Sequence, residues 1–189
     1  MQSKQGKLFV ISGPSGVGKG TVIKALLERI PNLTLSVSVT TRQPREHEVD
    51  GKDYFFKDRT AFVRMRDQGG FLESAEHFGI CYGTPKAFVI DALRAGKSVV
   101  LEIDTEGAFQ IKEKMPDSVS VFLDYPSYEE LRNRLLFRGS ETEGEMTLRL
   151  AKATKECAQK EKYDYIVVNG VLENTIEQII EIFKGELNK

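Results

Sequence analysis

Cysteine and histidine are scarce in this chain of 189 residues, with two of each, and their scarcity narrows the chemistry. Cys81 and Cys157 stand far apart and without metal-ligand spacing, so they read as free thiols in a reducing compartment. His47 and His77 build no catalytic dyad and read as surface or turn residues. No apolar run approaches the length that crosses a membrane. The opening Met1-Gln2-Ser3-Lys4-Gln5-Gly6 lacks the apolar stretch of a signal peptide, so a cytoplasmic location is expected. An excess of charge of one sign is missing too: 27 Lys and Arg against 28 Asp and Glu leave a net charge of -1. No global basic field would draw the chain to nucleic acid. Internal repeats, low-complexity tracts and long linkers are also absent. What is present, 40% apolar and 29% charged residues, suits a single soluble domain of ordinary size.

The apolar run Leu8-Phe9-Val10-Ile11 leads into Gly13-Pro14-Ser15-Gly16-Val17-Gly18-Lys19-Gly20-Thr21. A buried strand, a glycine-rich turn and a helix in that order make a phosphate loop for a nucleoside polyphosphate. Its glycines let consecutive backbone N–H groups turn towards phosphate oxygens, the helix start adds the positive end of its dipole, and Lys19 reaches the β- and γ-phosphates. Gly20 stands where a Ser or Thr hydroxyl would bind Mg²⁺, and Thr21 follows one position later. Mg²⁺ is therefore expected to be held by nucleotide oxygens and water, with no direct protein ligand.

Unbroken apolar strands recur at Ser98–Ile103, Val119–Leu123 and Tyr165–Val168. Helical patterns lie between them, at Val22–Ile30, Tyr128–Arg138, Glu145–Lys160 and Thr175–Phe183. This alternation predicts an α/β fold with a parallel core sheet flanked by helices, and a ligand at the carboxyl ends of the strands. The stretch 34–85 is different, with a dense turn region and short aromatic segments; it reads as an inserted, mixed β region. Residues 134–149, with the polar Gly139–Gly144 stretch inside, have the composition of a mobile helical lid. The core is then 1–33, 86–133 and 150–189, all within one domain.

Three groups of side chains carry further chemistry. Arg42 and Arg45 flank Pro44, which stiffens the backbone between two guanidinium forks suited to phosphate. Arg134 and Arg138 share a helix face and Arg149 lies beyond the loop; together they could neutralise a phosphoryl group in transfer, or simply pair with neighbouring glutamates. Glu73 lies in an apolar stretch, where a carboxylate could accept side by side from the N1–H and N2–H₂ donors of guanine; the plainer alternative is an edge-strand surface residue. Asp104 ends a buried strand, as a cap or an indirect Mg²⁺ ligand.

The segments GPSGVGKGT at 13–21, SVTTRQPR at 38–45, DGKDYFF at 50–56, FLESAEHFGICYGTP at 71–85, VVLEIDTEGA at 99–108, RLLFRG from 134 and VVNG at 167–170 together resemble the guanylate kinases, from about Lys7 to Phe183. The resemblance implies a P-loop kinase with an inserted GMP-binding region at 34–85 and a lid at 134–149. It also implies transfer of the γ-phosphoryl of MgATP to GMP, and to dGMP, giving ADP and GDP in purine nucleotide metabolism. By the same resemblance, Lys19, Arg42, Arg134, Arg138 and Arg149 are the catalytic set. Gly13, Pro14, Ser15, Gly16, Val17, Gly18, Lys19, Gly20, Thr21 and Asn169 hold ATP, Asn169 near the adenine. Ser38, Glu73 and Thr84 read the guanine, Arg42, Arg45, Tyr54 and Tyr82 hold the GMP phosphate, and Asp104 lies near the nucleotides or Mg²⁺. Departures from the pattern are His47 for glycine, Ile80-Cys81 for Asn-Tyr and Thr105-Glu106 for Trp-Gln.

Two rivals remain on the sequence. A kinase of ribose 1,5-bisphosphate would not need Ser38, Glu73 and Thr84 together. A scaffold module that binds phosphopeptides would not need the phosphate loop with Lys19. The expected partners are ATP and GMP, with no nucleic acid and no membrane, and both a monomer and a homo-oligomer are compatible with the chain.

Overall fold

The computed structural model describes residues 6–136 and 143–189. Strand β1 (Leu8–Ser12) is wholly buried, as a continuous apolar run covered on both faces requires. It belongs to a five-stranded sheet with β2 (Leu33–Leu35), β7 (Ser98–Glu102), β8 (Val119–Asp124) and β9 (Tyr165–Val168), in the order β2-β7-β1-β8-β9. The pairs β1–β8, β2–β7 and β8–β9 are parallel, with Ile11 opposite Val121, Thr34 opposite Val99 and Leu123 opposite Val167. The expected parallel α/β core is therefore present. Both cysteine thiols are free.

The chain divides into two compact units, one of residues 1–8, 32–101 and 106–118, the other of residues 9–31, 102–105 and 119–189. In the second unit the helices are α1 (Lys19–Arg29), α5 (Tyr128–Leu136), α6 (Glu143–Cys157) and α7 (Leu172–Leu187). Helix α7 packs on α1, and its Phe183 stacks on Phe9 of β1 with ring centroids 3.7 Å apart. The end of α5 and the first half of α6 fall within the stretch 134–149 read as a lid, whose residues 137–142 lie outside the described residues.

The first unit holds a four-stranded sheet of order β4-β3-β6-β5, formed by β3 (Val39–Thr40), β4 (Phe55–Phe56), β5 (Phe71–His77) and β6 (Ile80–Pro85). Strands β5 and β6 make a hairpin through Phe78 and Gly79, both at positive φ (52° and 77°), as a two-residue turn that matches strand twist requires. Strand β3 runs antiparallel to β6 and parallel to β4, which gives the mixed β region. Its apolar side packs Val39, Phe71 and Cys81 against Phe62 of α2 (Arg59–Asp67), a helix capped by Asp58, whose carboxylate accepts from Ala61 N–H at 2.8 Å. Helices α3 (Lys86–Arg94) and α4 (Thr105–Lys114) complete the secondary structure used below. Residue 105, the first of α4, falls in the second unit.

Candidate active site

In the second unit, β1 delivers the chain into a loop whose backbone glycine alone permits. Gly13 has φ 147°, and a Cβ there would stand 2.3 Å from the Leu123 carbonyl oxygen. Gly18, the residue before α1, has φ 99°, and a Cβ there would meet the Asn169 amide nitrogen at 2.8 Å. The Val17 side chain is fully buried, which anchors the loop from below. The loop is held from above by Asn169: its Nδ2 donates to the Val17 carbonyl at 2.7 Å, and its own N–H donates to the Asp124 carbonyl at 2.8 Å. Arg134 grips the same two segments, with Nη1 donating to Val17 O at 3.3 Å and Nη2 to Asn169 O at 3.2 Å, while Nε donates to Glu130 Oε1 at 2.9 Å.

Lys19 opens α1, and its Nζ folds back to donate to the carbonyls of Gly13 at 2.6 Å and Pro14 at 3.2 Å. Burial lowers the pKa of this ammonium, and the negative charges of Glu102, Glu156 and Asp104 work in the opposite direction. Two of these groups escape sequence reasoning, as does Lys152. Lys152 on α6 places Nζ 3.7 Å from Asp104 Oδ2 and 3.8 Å from Oε1 of the buried Glu156. A helical i, i+4 spacing of Lys152 and Glu156 was the only local sign of that pair. Glu102, at the end of β7, brings its carboxylate oxygens 3.7 and 3.8 Å from where a Cβ on Gly20 would lie. Arg149 is a half-buried residue of α6, Ser15 is half-buried, and Gly20 and Thr21 are exposed at the start of α1. Arg138 lies outside the described residues.

The first unit contains two further groupings. Arg42 makes a two-point ion pair with Glu48, Nη1 to Oε2 and Nη2 to Oε1, both at 2.7 Å. Its guanidinium lies 5.2 Å from the Tyr54 ring centroid and 5.7 Å from that of Phe56, and Tyr54 lies 6.2 Å from Tyr82. The hydrogen bonds from Arg42 hold the Glu48 carboxyl well below the usual range, at about 2, and push Arg42 above its ordinary value. Arg45 enters through its backbone, whose N–H donates to Glu48 Oε2 at 2.8 Å, with its side chain exposed. Arg42, Tyr54 and Tyr82 thus lie together, with Glu48, which the sequence reading did not single out, paired to Arg42.

In the second grouping, Glu73 on β5 is 4% exposed and so is no surface residue of an edge strand. Its Oε1 accepts from the hydroxyl of the fully buried Thr84 on β6 at 2.6 Å. Ser38 directly precedes the Val39–Gly83 pair, so the antiparallel register carries it towards Thr84. Asp104 is a residue of the second unit, where it accompanies Lys152 and the field around Lys19. His47 is exposed, whereas His77 ends β5 and is half-buried.

Comparison with known proteins gives one consistent result. Residues 5–186 match the family model described as guanylate kinase. The chain is 51% identical to the guanylate kinase of Caldanaerobacter subterraneus subsp. tengcongensis, over 97% of this chain and 89% of that one. It is 45% identical to the guanylate kinase of Thermotoga maritima, over 98% and 89% of the two chains. Among solved structures, guanylate kinase from Anaplasma phagocytophilum superposes with a TM-score of 0.84 at 40% identity, covering all of this chain and 90% of the other.

Proposed function

The chain belongs to the guanylate kinase family, and on that premise we propose which of its residues carry out the ATP-dependent phosphorylation of GMP to GDP. The enzyme is a phosphotransferase of purine metabolism, and its substrates are ATP and GMP. The observation that carries the residue assignments is the buried Glu73–Thr84 pair. Thr84 takes one side of the carboxylate, which fixes its orientation and leaves lone pairs for two parallel donors. Guanine offers N1–H and N2–H₂ at that spacing, whereas adenine presents an acceptor at N1, which a carboxylate oxygen repels. Ser38 joins these two in reading the base.

The GMP phosphate is assigned to Arg42, Arg45, Tyr54 and Tyr82. The triphosphate of ATP is assigned to the loop from Gly13 to Thr21, with Lys19 on the β- and γ-phosphates. Asn169 holds the loop beside the adenine. In the reaction, an oxygen of the GMP phosphate forms a bond to the γ-phosphorus as the bridging oxygen of ADP leaves. That oxygen is already anionic near neutral pH, so positioning and charge neutralisation suffice and no strong base is needed. Arg134, Arg138 and Arg149 supply the neutralising charge.

Among the described residues no group of three Asp, Glu, His or Cys side chains could hold a metal ion by itself. The residues at hand fit Mg²⁺ carried in on ATP: Gly20 offers no hydroxyl, while Glu102 lies beside it and Asp104 joins Glu102 in the field around Lys19, as outer ligands through water. Mg²⁺ would there neutralise the β- and γ-phosphates. The assignments rest on base and phosphate alone, and dGMP is proposed as a second acceptor on that ground. Among the described residues no helix is long and apolar enough to cross a membrane, and a cytoplasmic location is proposed as the place where a kinase of ATP and GMP finds its substrates.

The test is ADP formation from MgATP with GMP, dGMP, AMP, IMP and ribose 1,5-bisphosphate as separate acceptors. Turnover concentrated on GMP and dGMP supports the assignments. Equal turnover of AMP and GMP would remove Glu73 from guanine recognition, and lack of turnover with dGMP would mean that the 2′-hydroxyl is read.

A further inference from the structure

The proposed guanine-reading carboxylate is backed by α4. Gly107, Gln110 and Lys114 follow one another at helical spacing along one face of that helix, and each addresses β5 at Glu73 or beside it. Lys114 Nζ donates to the Leu72 carbonyl at 2.5 Å. Gln110 Nε2 donates to the Ser74 carbonyl at 2.9 Å, and its Oε1 accepts from Ser74 N–H at 3.3 Å. The backbone is thus gripped on both sides of Glu73 by side chains of α4. β5 ends its sheet, so this grip also closes a strand edge.

At Gly107 the helix approaches Glu73 itself. A Cβ there would stand 2.6 Å from Glu73 Oε2 and 3.1 Å from Cδ, well inside van der Waals contact. Gly107 is in the first turn of α4, where N–H groups lack partners within the helix and the dipole favours an anion. Its φ is not positive, so the backbone would accept any residue. It is the carboxylate that requires glycine here.

We propose that Gly107 is a specificity-determining residue for guanine, because it lets the Glu73 carboxylate lie against the first turn of α4 where Thr84 and the purine edge can share it. The inference rests on the reading of Glu73 as the guanine ligand. Alanine at 107 would push aside the flexible end of Glu73, a displacement cheap for folding and harmful to recognition. Alanine is also the better helix former, which works against any loss of stability.

Gly107→Ala is compared with the parent enzyme for KM of GMP, KM of ATP, thermal midpoint, and the kcat/KM ratio of GMP over IMP, which lacks the 2-amino donor. KM for GMP is expected to rise about 10- to 100-fold, the range for losing a hydrogen bond to a charged group. The GMP/IMP ratio should fall, with KM for ATP and the thermal midpoint held. Glu73→Asp shortens the side chain by one methylene, so adding it to Gly107→Ala should cost less than the two single effects combined. An unchanged KM for GMP and GMP/IMP ratio in Gly107→Ala would overturn the inference. So would equal damage to ATP and GMP use or loss of the fold, since Gly107 would then serve the fold rather than the base. Glu73→Gln separates the two levels. If it keeps the GMP/IMP preference, the reading of Glu73 fails; if it loses the preference and Gly107→Ala keeps it, only the role of Gly107 fails.

Discussion

Replacing Glu48 by Gln tests the phosphate-side architecture, and the structure sets both direction and size. A guanidinium has five N–H donors. Arg42 gives one hydrogen of Nη1 and one of Nη2 to Glu48, and the second of Nη1 to the Gln43 carbonyl at 2.9 Å. That leaves Nε–H and the outer hydrogen of Nη2, a parallel pair on the side of the fork suited to a phosphate. Glu48 therefore aims Arg42 rather than merely neutralising it. A carboxamide offers one acceptor and sets its NH₂ against an N–H donor, so the guanidinium must rotate. The fall of the Glu48 carboxyl from its ordinary 4.5 to about 2 would correspond to about 3 kcal/mol at most. Solvent screening of a pair near the surface cuts this to about 1–2 kcal/mol. The group's folded value is depressed, so its stabilisation is full above pH 4.5 and is lost as pH falls towards 2. Glu48→Gln should lower the thermal midpoint at neutral pH by about 2–8 °C, with the gap to the parent closing over that acid range. KM for GMP should rise about tenfold, as for one lost charge-assisted contact, while KM for ATP holds. Thermal melts across pH and steady-state kinetics read both effects. A midpoint gap that persists at pH 2, or an unchanged KM for GMP, would refute the reasoning.

Gly13→Ala should destabilise the protein by more than about 1 kcal/mol and impair ATP use, because its Cβ meets backbone rather than a mobile side chain, at 2.3 Å from Leu123 O, with φ at 147°; chemical denaturation and KM for ATP check this. Lys152→Met should leave the buried Glu156 and Asp104 short of a counter-charge, lowering stability by about 1–3 kcal/mol. The same variant should reduce kcat with KM for GMP unchanged, which steady-state kinetics with each substrate varied in turn would show.

Much of the core was legible because its signals are local. β1, β7 and β8 are mostly apolar and buried nearly throughout, the pattern that burial on both faces of a parallel sheet produces. β9 is an apolar run at the sheet's edge with only Val167 buried. Helices α2, α3 and α4 were not read: each is 9 or 10 residues long, α3 begins straight after Pro85, and Gly107 in the first turn of α4 weakens its helical signature. The mixed sheet was legible only as a β-like region, since β3 and β4 have two residues each and no periodicity to display. The candidate site divides the same way. The phosphate loop declares itself in nine consecutive residues, whereas Gln110 acts on Ser74 from 36 positions away and Gly107 on Glu73 from a different element. Glu48 lies only six residues from Arg42, yet nothing in a charged turn distinguishes an aimed ion pair from a solvated one until both nitrogens are seen engaged.

Lys19 is a charge held at some cost in the folded protein. Burial disfavours its ammonium more than Glu102, Glu156 and Asp104 favour it, so its pKa in the folded protein falls below the ordinary 10.5. The unfolded chain then binds the proton more tightly, and this group's contribution to stability rises with pH through the window below 10.5. At neutral pH its charge is disfavoured in the fold, and on the proposed assignment a bound triphosphate would offset this. Lys19→Met keeps the length of the stem and removes the charge. Without nucleotide its thermal midpoint should equal or exceed that of the parent, even though two bonds to the Gly13 and Pro14 carbonyls are lost. With ATP present, the parent should gain the stability that tight binding confers, and the variant should gain little and turn over orders of magnitude more slowly. Melts with and without ATP measure both halves. A variant less stable than the parent before nucleotide is added would mean that the loop carbonyls and carboxylates already satisfy Lys19, and that the fold holds it at no cost.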